Sequence, residues 1–423
     1  MPEGTAIYVV QPGDTVDSIA ALYGVNAGTI AQDNQIIYPY ELAVGQALFI
    51  NLGTRQPYRS LRVTGYAYPY IHESVLADTL PYLSELAIFS YGFTTEGELV
   101  PPTLPDDWMI ALALQYGTAP ILTLTPLDEQ GRFSNYLIHN VVQNPETVNI
   151  LIDNLLVTMQ QKGYQGVDID FEYILAEDRD AFTEFVRQVA ERMRENGYHT
   201  SVALAPKTSA DQQGLLYEGK DYRALGEAAD HVLLMTYEWG YTYGPPMAVA
   251  PLNQVRRVVE YAVTEIPVEK IDLGIPNYGY DWPLPFVRGE TKATSIGNIQ
   301  AVRIAIEQGV PIQFDNLAQS PFFTYRQVEQ VQENASAGNL AEDTQTQESG
   351  ETANGPDTFG GNEIDITVNA YVEHEVWFED VRSLQGKFDL IREFGLGDCG
   401  NWQIMRWFAA NWKLLYQNFY IDK

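Results

Sequence analysis

A chain of 423 residues is long enough for about two or three ordinary domains, and with 45% hydrophobic residues and 12% aromatics it can fill a large packed core. Its 25 Lys and Arg stand against 56 Asp and Glu, a formal charge of −31; that field repels phosphate backbones and anionic lipid surfaces, which argues against nucleic-acid binding and leaves neutral glycans open as partners. A single cysteine, Cys399, excludes an internal disulfide and a cysteine-based zinc site.

Residues 7–10 read as a short β run closed by the turn formers Pro12-Gly13-Asp14. Apolar positions 16, 19, 20 and 22–23 then follow helical spacing, with Asp14 or Thr15 placed to cap the helix and Gly24 to end it. A second helix is predicted over 27–33 and a returning strand over 45–50, giving a β-α-α-β unit. The pieces Tyr8-Val9-Val10-Gln11-Pro12-Gly13-Asp14-Thr15, Ile19-Ala20, Asn34 and Leu42-x-x-Gly45-Gln46-x-Leu48-x-Ile50 resemble a LysM module, taken as residues 1–52. The resemblance implies binding of N-acetylglucosamine-containing glycans such as peptidoglycan or chitin. Residues 53–60 read as a linker.

Beyond it, β runs at 61–66, 86–91, 120–124, 166–171, 200–205, 231–236, 270–275 and 400–404 alternate with amphipathic helices, for example 145–162 and 178–196. Near-continuous apolar runs fit strands covered on both faces, and eight of them joined by crossovers predict an α/β fold, a (β/α)8 TIM barrel. The excess between the seventh and eighth runs, residues 285–374, is too long for a loop and is expected to be a small α+β insertion, helical over 298–308 and with a β pair over 367–378. Inside it, residues 327–367 carry nine acids and no Lys or Arg, a composition expected to stay a disordered acidic loop.

The chemistry concentrates in Gly166-Val167-Asp168-Ile169-Asp170-Phe171-Glu172. Alternate strand residues share a face, so Asp168, Asp170 and Glu172 point the same way, about 7 Å apart per step, while Val167, Ile169 and Phe171 face the covering helices. Three carboxyls lining the inside of a barrel repel one another and lose hydration, which raises their pKa values. Glu172 lies at the C-terminal end of its strand, where barrel enzymes place their sites, and a protonated carboxyl there can donate to a leaving-group oxygen. Two other readings are a buried ion-pair cluster and a magnesium or calcium site. No basic residue follows the triplet before Arg179, and a linear strand offers few further ligands, so general-acid chemistry is favoured.

Residues 61–423 resemble glycoside hydrolase family 18. The family's Asp-x-x-Asp-x-Asp-x-Glu pattern falls on Gln165, Asp168, Asp170 and Glu172, with Gln165 in place of its first Asp. The resemblance implies Glu172 as general acid/base and Asp170 as the group that orients the substrate acetamide and stabilises an oxazolinium, with no protein nucleophile and with retention of configuration. In Met235-Thr236-Tyr237-Glu238-Trp239 it implies a Tyr237 hydroxyl donated to the acetamido oxygen, and Trp402 is similar to the tryptophan that floors the sugar at the cleavage point. Met235, Glu238, Tyr66, Tyr68, Asn277, Tyr278 and Tyr280 are candidate substrate-binding residues; for Tyr66, Tyr68, Asn277, Tyr278 and Tyr280, rim packing is the other reading. No metal or cofactor is implied.

The family's Ser-x-Gly-Gly segment is absent, Thr123-Leu124-Thr125-Pro126 standing at the third strand, which argues against an ordinary chitinase. Within the family, the segments 163–173, 235–240, 274–282 and 374–380 resemble those of spore cortex-lytic N-acetylglucosaminidases. Expected, then, is a monomeric retaining β-N-acetylglucosaminidase on peptidoglycan, located at the spore cortex, coat or cell wall. Alternatives are a chitinase or endo-β-N-acetylglucosaminidase, and an inactive lectin or spore-coat protein. Met1-Pro2-Glu3-Gly4-Thr5 lacks the features of a secretory signal, and no stretch reaches the ~20 apolar residues of a membrane span.

Overall fold

The structure, a computed structural model, describes residues 1–127, 131–335 and 364–423. Strands Thr5–Val9 and Ala47–Asn51 pair antiparallel around helices Val16–Tyr23 and Ala27–Asp33. The Thr15 side chain accepts the Ser18 N–H to cap the first helix, and Gly24, at φ 68°, ends it in the left-handed conformation a glycine adopts without strain. Asn34 ties helix to strand. Its Nδ2 donates to the Ile30 and Phe49 carbonyls at 2.9 and 2.8 Å, and its Oδ1 accepts the Phe49 N–H at 2.7 Å.

The barrel strands are β1 (Arg59–Ala67), β2 (Glu85–Phe93), β3 (Ala119–Leu124), β4 (Gly166–Ile169), β5 (His199–Leu204), β6 (His231–Leu234), β7 (Ile271–Pro276) and β8 (Asp398–Trp402). Each pairs in parallel with the next, and β8 closes on β1. The outward row from β4 does what its alternation predicts: the Phe171 ring lies 5.6 and 5.5 Å from those of Phe182 and Phe185 on helix Arg179–Glu195. Helix Pro145–Lys162 starts on the Asn144 side chain and stops at Gly163, φ 91°. Arg59 and Ser60, expected in the linker, belong to β1, and Arg55 is pinned over the Tyr416 ring at 3.6 Å.

An ionic cluster plugs the N-terminal end of the barrel. Arg62 Nη2 lies 2.7 Å from Asp398 and 3.5 Å from Asp272, and Nε lies 3.5 Å from Glu85. His199 stands 3.1 Å from Glu85, and His231 3.3 Å from Asp398. Burial alone would push the Glu85 carboxyl up; the His199 hydrogen bond and the Arg62 charge outweigh it and hold Glu85 down at about 2. Arg62→Leu leaves three buried carboxylates without their main counter-charge and is expected to cost about 3–5 kcal/mol, read from urea titration. A loss below about 1 kcal/mol would show that the histidines suffice.

Between β7 and β8 stands a five-stranded antiparallel sheet of Gly279–Leu284, Thr294–Ile296, Gln313–Asp315, Ser320–Ala335 and Ile364–Trp377, with helix Asn298–Gln308. It begins at Gly279 and runs to Trp377, wider on both sides than 285–374. The acidic stretch is corrected at its ends: 327–335 and 364–367 are paired strand residues. Backbone pairing between the two segments supplies the order that the compositional argument did not count. Residues 336–363 lie outside the described residues. His374 is a structural residue here, with Nδ1 2.9 Å from Asp281 and Nε2 3.1 Å from Glu329.

The N-terminal module is seated on the rest of the chain. Phe49 joins the barrel core and Ala43 the insertion core. Ile312 N–H donates to the Val44 carbonyl at 2.8 Å, and Ala409 N–H to Gln35 Oε1 at 2.7 Å.

Candidate active site

Strand β4 delivers its acids in a row that grades from sealed to open. Asp168 is 1% exposed and Asp170 7%, whereas Glu172, just past the strand, is half-buried. Ser201 Oγ on β5 donates to Asp168 Oδ1 at 2.6 Å, while Asp168 Oδ2 and Asp170 Oδ1 are buried without a hydrogen-bond partner. Burial pushes Asp168 up to about 6 against the Ser201 and Tyr66 hydroxyls. Asp170 is pushed well above the carboxylate range by burial and then by the charges of Glu172 and Asp168. Glu172 is raised as well, by burial, with Lys220 opposing. A carboxyl at the open end of this row therefore holds its proton above the usual carboxylate range, as a general acid requires.

Glu172 lines a cleft of about 190 Å³ with Ala205, Pro206, Tyr217, Met235, Tyr237 and Glu238 among its walls. Tyr237 reaches it from the end of β6 by packing onto Gly274. A Cβ at 274 would meet the Leu234 carbonyl oxygen at 2.2 Å and Tyr237 Cε1 at 2.9 Å, so only glycine fits there. Burial, and then the charges of the acids, raise the Tyr237 hydroxyl well above its ordinary value, keeping it a donor. Glu238 of the cleft (φ 68°) and Tyr173, next in the chain to Glu172 (φ 58°), are left-handed non-glycine residues, strain of the kind that gathers at functional sites.

Trp402 ends β8, half-buried, with the rings of Phe89, Tyr66 and Tyr68 at 5.1, 5.9 and 6.1 Å. Tyr68 stacks on the exposed Tyr70 at 5.2 Å. The residues after β7 are committed to protein contacts. Asn277 Nδ2 donates to the carbonyls of Arg406 at 2.8 Å and Gln403 at 3.3 Å, clipping the loop after Trp402. Tyr278 and Tyr280, both buried, donate to the Glu238 carboxylate, Tyr280 at 3.0 and 3.2 Å. Tyr278 and Tyr280 thus reach the cleft through Glu238, and Asn277 through the loop after Trp402.

Lys220 is the residue the sequence did not reveal. It is 1% exposed, its Nζ donates to the Ala203 carbonyl at 2.8 Å, and its charge acts on Asp170, Glu172 and Asp168. The absence of a nearby basic residue in sequence was thus no guide to the space around the acids.

The sequence model of the glycosyl hydrolases family 18 matches residues 131–406, and that of the LysM domain residues 8–51. The chain belongs to glycosyl hydrolase family 18. It is 35% identical to the cortical fragment-lytic enzyme of Bacillus subtilis (strain 168) over 99% of each chain. The crystal structure of the Bacillus cereus spore cortex-lytic enzyme SleL superposes with a TM-score of 0.84 at 32% identity, covering 99% of both. A chitinase from Chromobacterium violaceum shares the fold, with a TM-score of 0.69 at 23% identity over 85% of this chain and 98% of its own. In this family 18 glycoside hydrolase, the open acid row and the cleft coincide. Tyr278→Phe, which removes one of the two hydroxyls that hold the Glu238 carboxylate, is expected to lower kcat/KM about tenfold. Unchanged kinetics would show that Glu238 does not depend on the clamp.

Proposed function

We propose that the protein is a retaining β-N-acetylglucosaminidase that hydrolyses peptidoglycan of the spore cortex, or fragments of it, by substrate-assisted catalysis. The observation that carries the reading is the acid row itself: one carboxyl at the cleft, the next buried behind it with an unpartnered oxygen, and Tyr237 on the same cleft. Protonated Glu172 donates to the glycosidic oxygen as the bond to the anomeric carbon breaks. The carbonyl oxygen of the sugar's own 2-acetamido group attacks that carbon from the opposite face, held by the Tyr237 hydroxyl, while Asp170 accepts from the acetamide N–H and balances the positive charge of the ring that forms. Glu172, now a carboxylate, takes a proton from water as the water opens the ring, restoring the β configuration. Trp402 offers an indole face to the apolar side of the sugar.

This assignment of roles fits the absence of any need for a second carboxylate at the anomeric carbon. The cortical substrate is supported by the full-length similarity to the cortex-lytic relatives. The LysM module supplies a second grip on the same polymer and raises its local concentration at the cleft, placing the enzyme at the cortex or wall. Rates on purified cortex fragments and on chitin oligomers of matched length test the reading: faster release of reducing ends from cortex is expected. Equal or faster cleavage of chitin would make it a chitinase, and binding with no released ends would make it a lectin.

A further inference from the structure

The acid row is crowded with negative charge; His199 acts on Asp168, and among the described residues Lys220 is the basic side chain whose field falls on all three acids. Its position is built, not incidental. Ser201 and Val202 of β5 are in register with Asp168 and Ile169 of β4, so the Ala203 carbonyl that receives the Lys220 ammonium comes one residue further on, as Asp170 does just past the end of β4. The loop that carries Lys220 presses on the segment just after Glu172: a Cβ on Gly219 would meet the Ile174 carbonyl oxygen at 2.4 Å. From behind, Lys207 Nζ donates to the Lys220 carbonyl at 3.0 Å, fixing the backbone from which the side chain extends. Among the described residues, no carboxylate lies within ion-pair distance of Lys220, so its charge is not spent on one partner.

We propose that Lys220 is a positioning residue for the reaction: its sealed ammonium is the fixed positive charge that lets Asp170 serve as an anion in a row otherwise closed to ionisation. The inference rests on the roles given to those two acids above. Without a cation, ionising any member of a buried row that includes Asp168, Asp170 and Glu172, faced by the Tyr66 and Tyr237 hydroxyls and by Glu238, would be opposed by burial and by every neighbouring carboxylate. An ammonium buried at 1% exposure is itself unfavourable, and burial lowers it to about 8 while the three acids sustain it. It is therefore still charged at neutral pH, and the reciprocal field favours ionised carboxyls in the row.

The test compares Lys220→Gln, which keeps a donor for the Ala203 carbonyl, with Lys220→Met, which keeps neither donor nor charge, in the full chain. Removing the cation favours the protonated form of each acid, so both limbs of the kcat/KM–pH profile should move to higher pH by about half a unit or more, in both variants, with kcat at pH 7 reduced about tenfold. A fall in activity with unmoved limbs would overturn the proposal and make the lysine a packing element. So would an unchanged profile, or failure of both variants to fold. If the wild-type chain itself releases no sugar from cortex fragments or chitin oligomers, the function above fails instead, a result distinct from any of these.

Discussion

Glu172→Gln should reduce kcat on cortex fragments by about a thousandfold or more while leaving KM, or the dissociation constant for a bound fragment, within about twofold. The amide occupies the space of the carboxyl and still hydrogen-bonds, but it has no acidic proton to give the leaving oxygen and no charge with which to activate water. Because Glu172 sits at the cleft and is only half-buried, the change leaves no buried group unpaired, and the melting temperature should move little. Wild-type turnover in this variant would remove Glu172 from the mechanism.

Asp170→Asn should be nearly as damaging, by about a hundredfold or more in kcat, and it carries a second signature in pH. The Glu172 charge raises the tendency of Asp170 to hold a proton, an interaction that two coupled groups share, and Lys220 lowers it in both. With Asp170 made neutral, the lysine charge acts on Glu172 unopposed, so Glu172 should lose its proton at lower pH and the alkaline limb of kcat/KM should move to the acid side. That shift is opposite in sign to the one expected on removing Lys220, and the pair of variants separates an electrostatic network from simple loss of packing. An alkaline limb that stays in place in Asp170→Asn would mean the two carboxyls do not sense each other.

The elements that could be read from sequence are those whose causes are local. Helix Pro145–Lys162 is bounded by Asn144 and Pro145 at one end and Gly163 at the other, and each of these acts through its own backbone. Period-two alternation aimed Asp168, Asp170 and Glu172 into the barrel and Phe171 out against Phe182 and Phe185, because a strand leaves no other choice. What escaped needed the closed fold. Lys220 meets the acids across the β4–β5 edge, the Tyr278 and Tyr280 clamp on Glu238 joins the ends of β6 and β7, and the plug around Arg62 draws residues from β1, β2, β5, β6, β7 and β8. None of these has a spacing along the chain. The ends of the acidic stretch were misread for a related reason: composition reports apolar burial, whereas the ribbon of 320–335 and 364–377 is held by backbone pairing between distant segments.

The bond that is cut decides the matter most directly. Cortex fragments incubated with the enzyme and then reduced with borohydride should show, by mass spectrometry, new chains ending in reduced N-acetylglucosamine, absent when Glu172→Gln is used. New chains ending in a reduced muramic residue would mean that a different bond is cut, and an anhydro sugar that something other than water completes the reaction; either would contradict the hydrolytic N-acetylglucosaminidase proposed for this cleft.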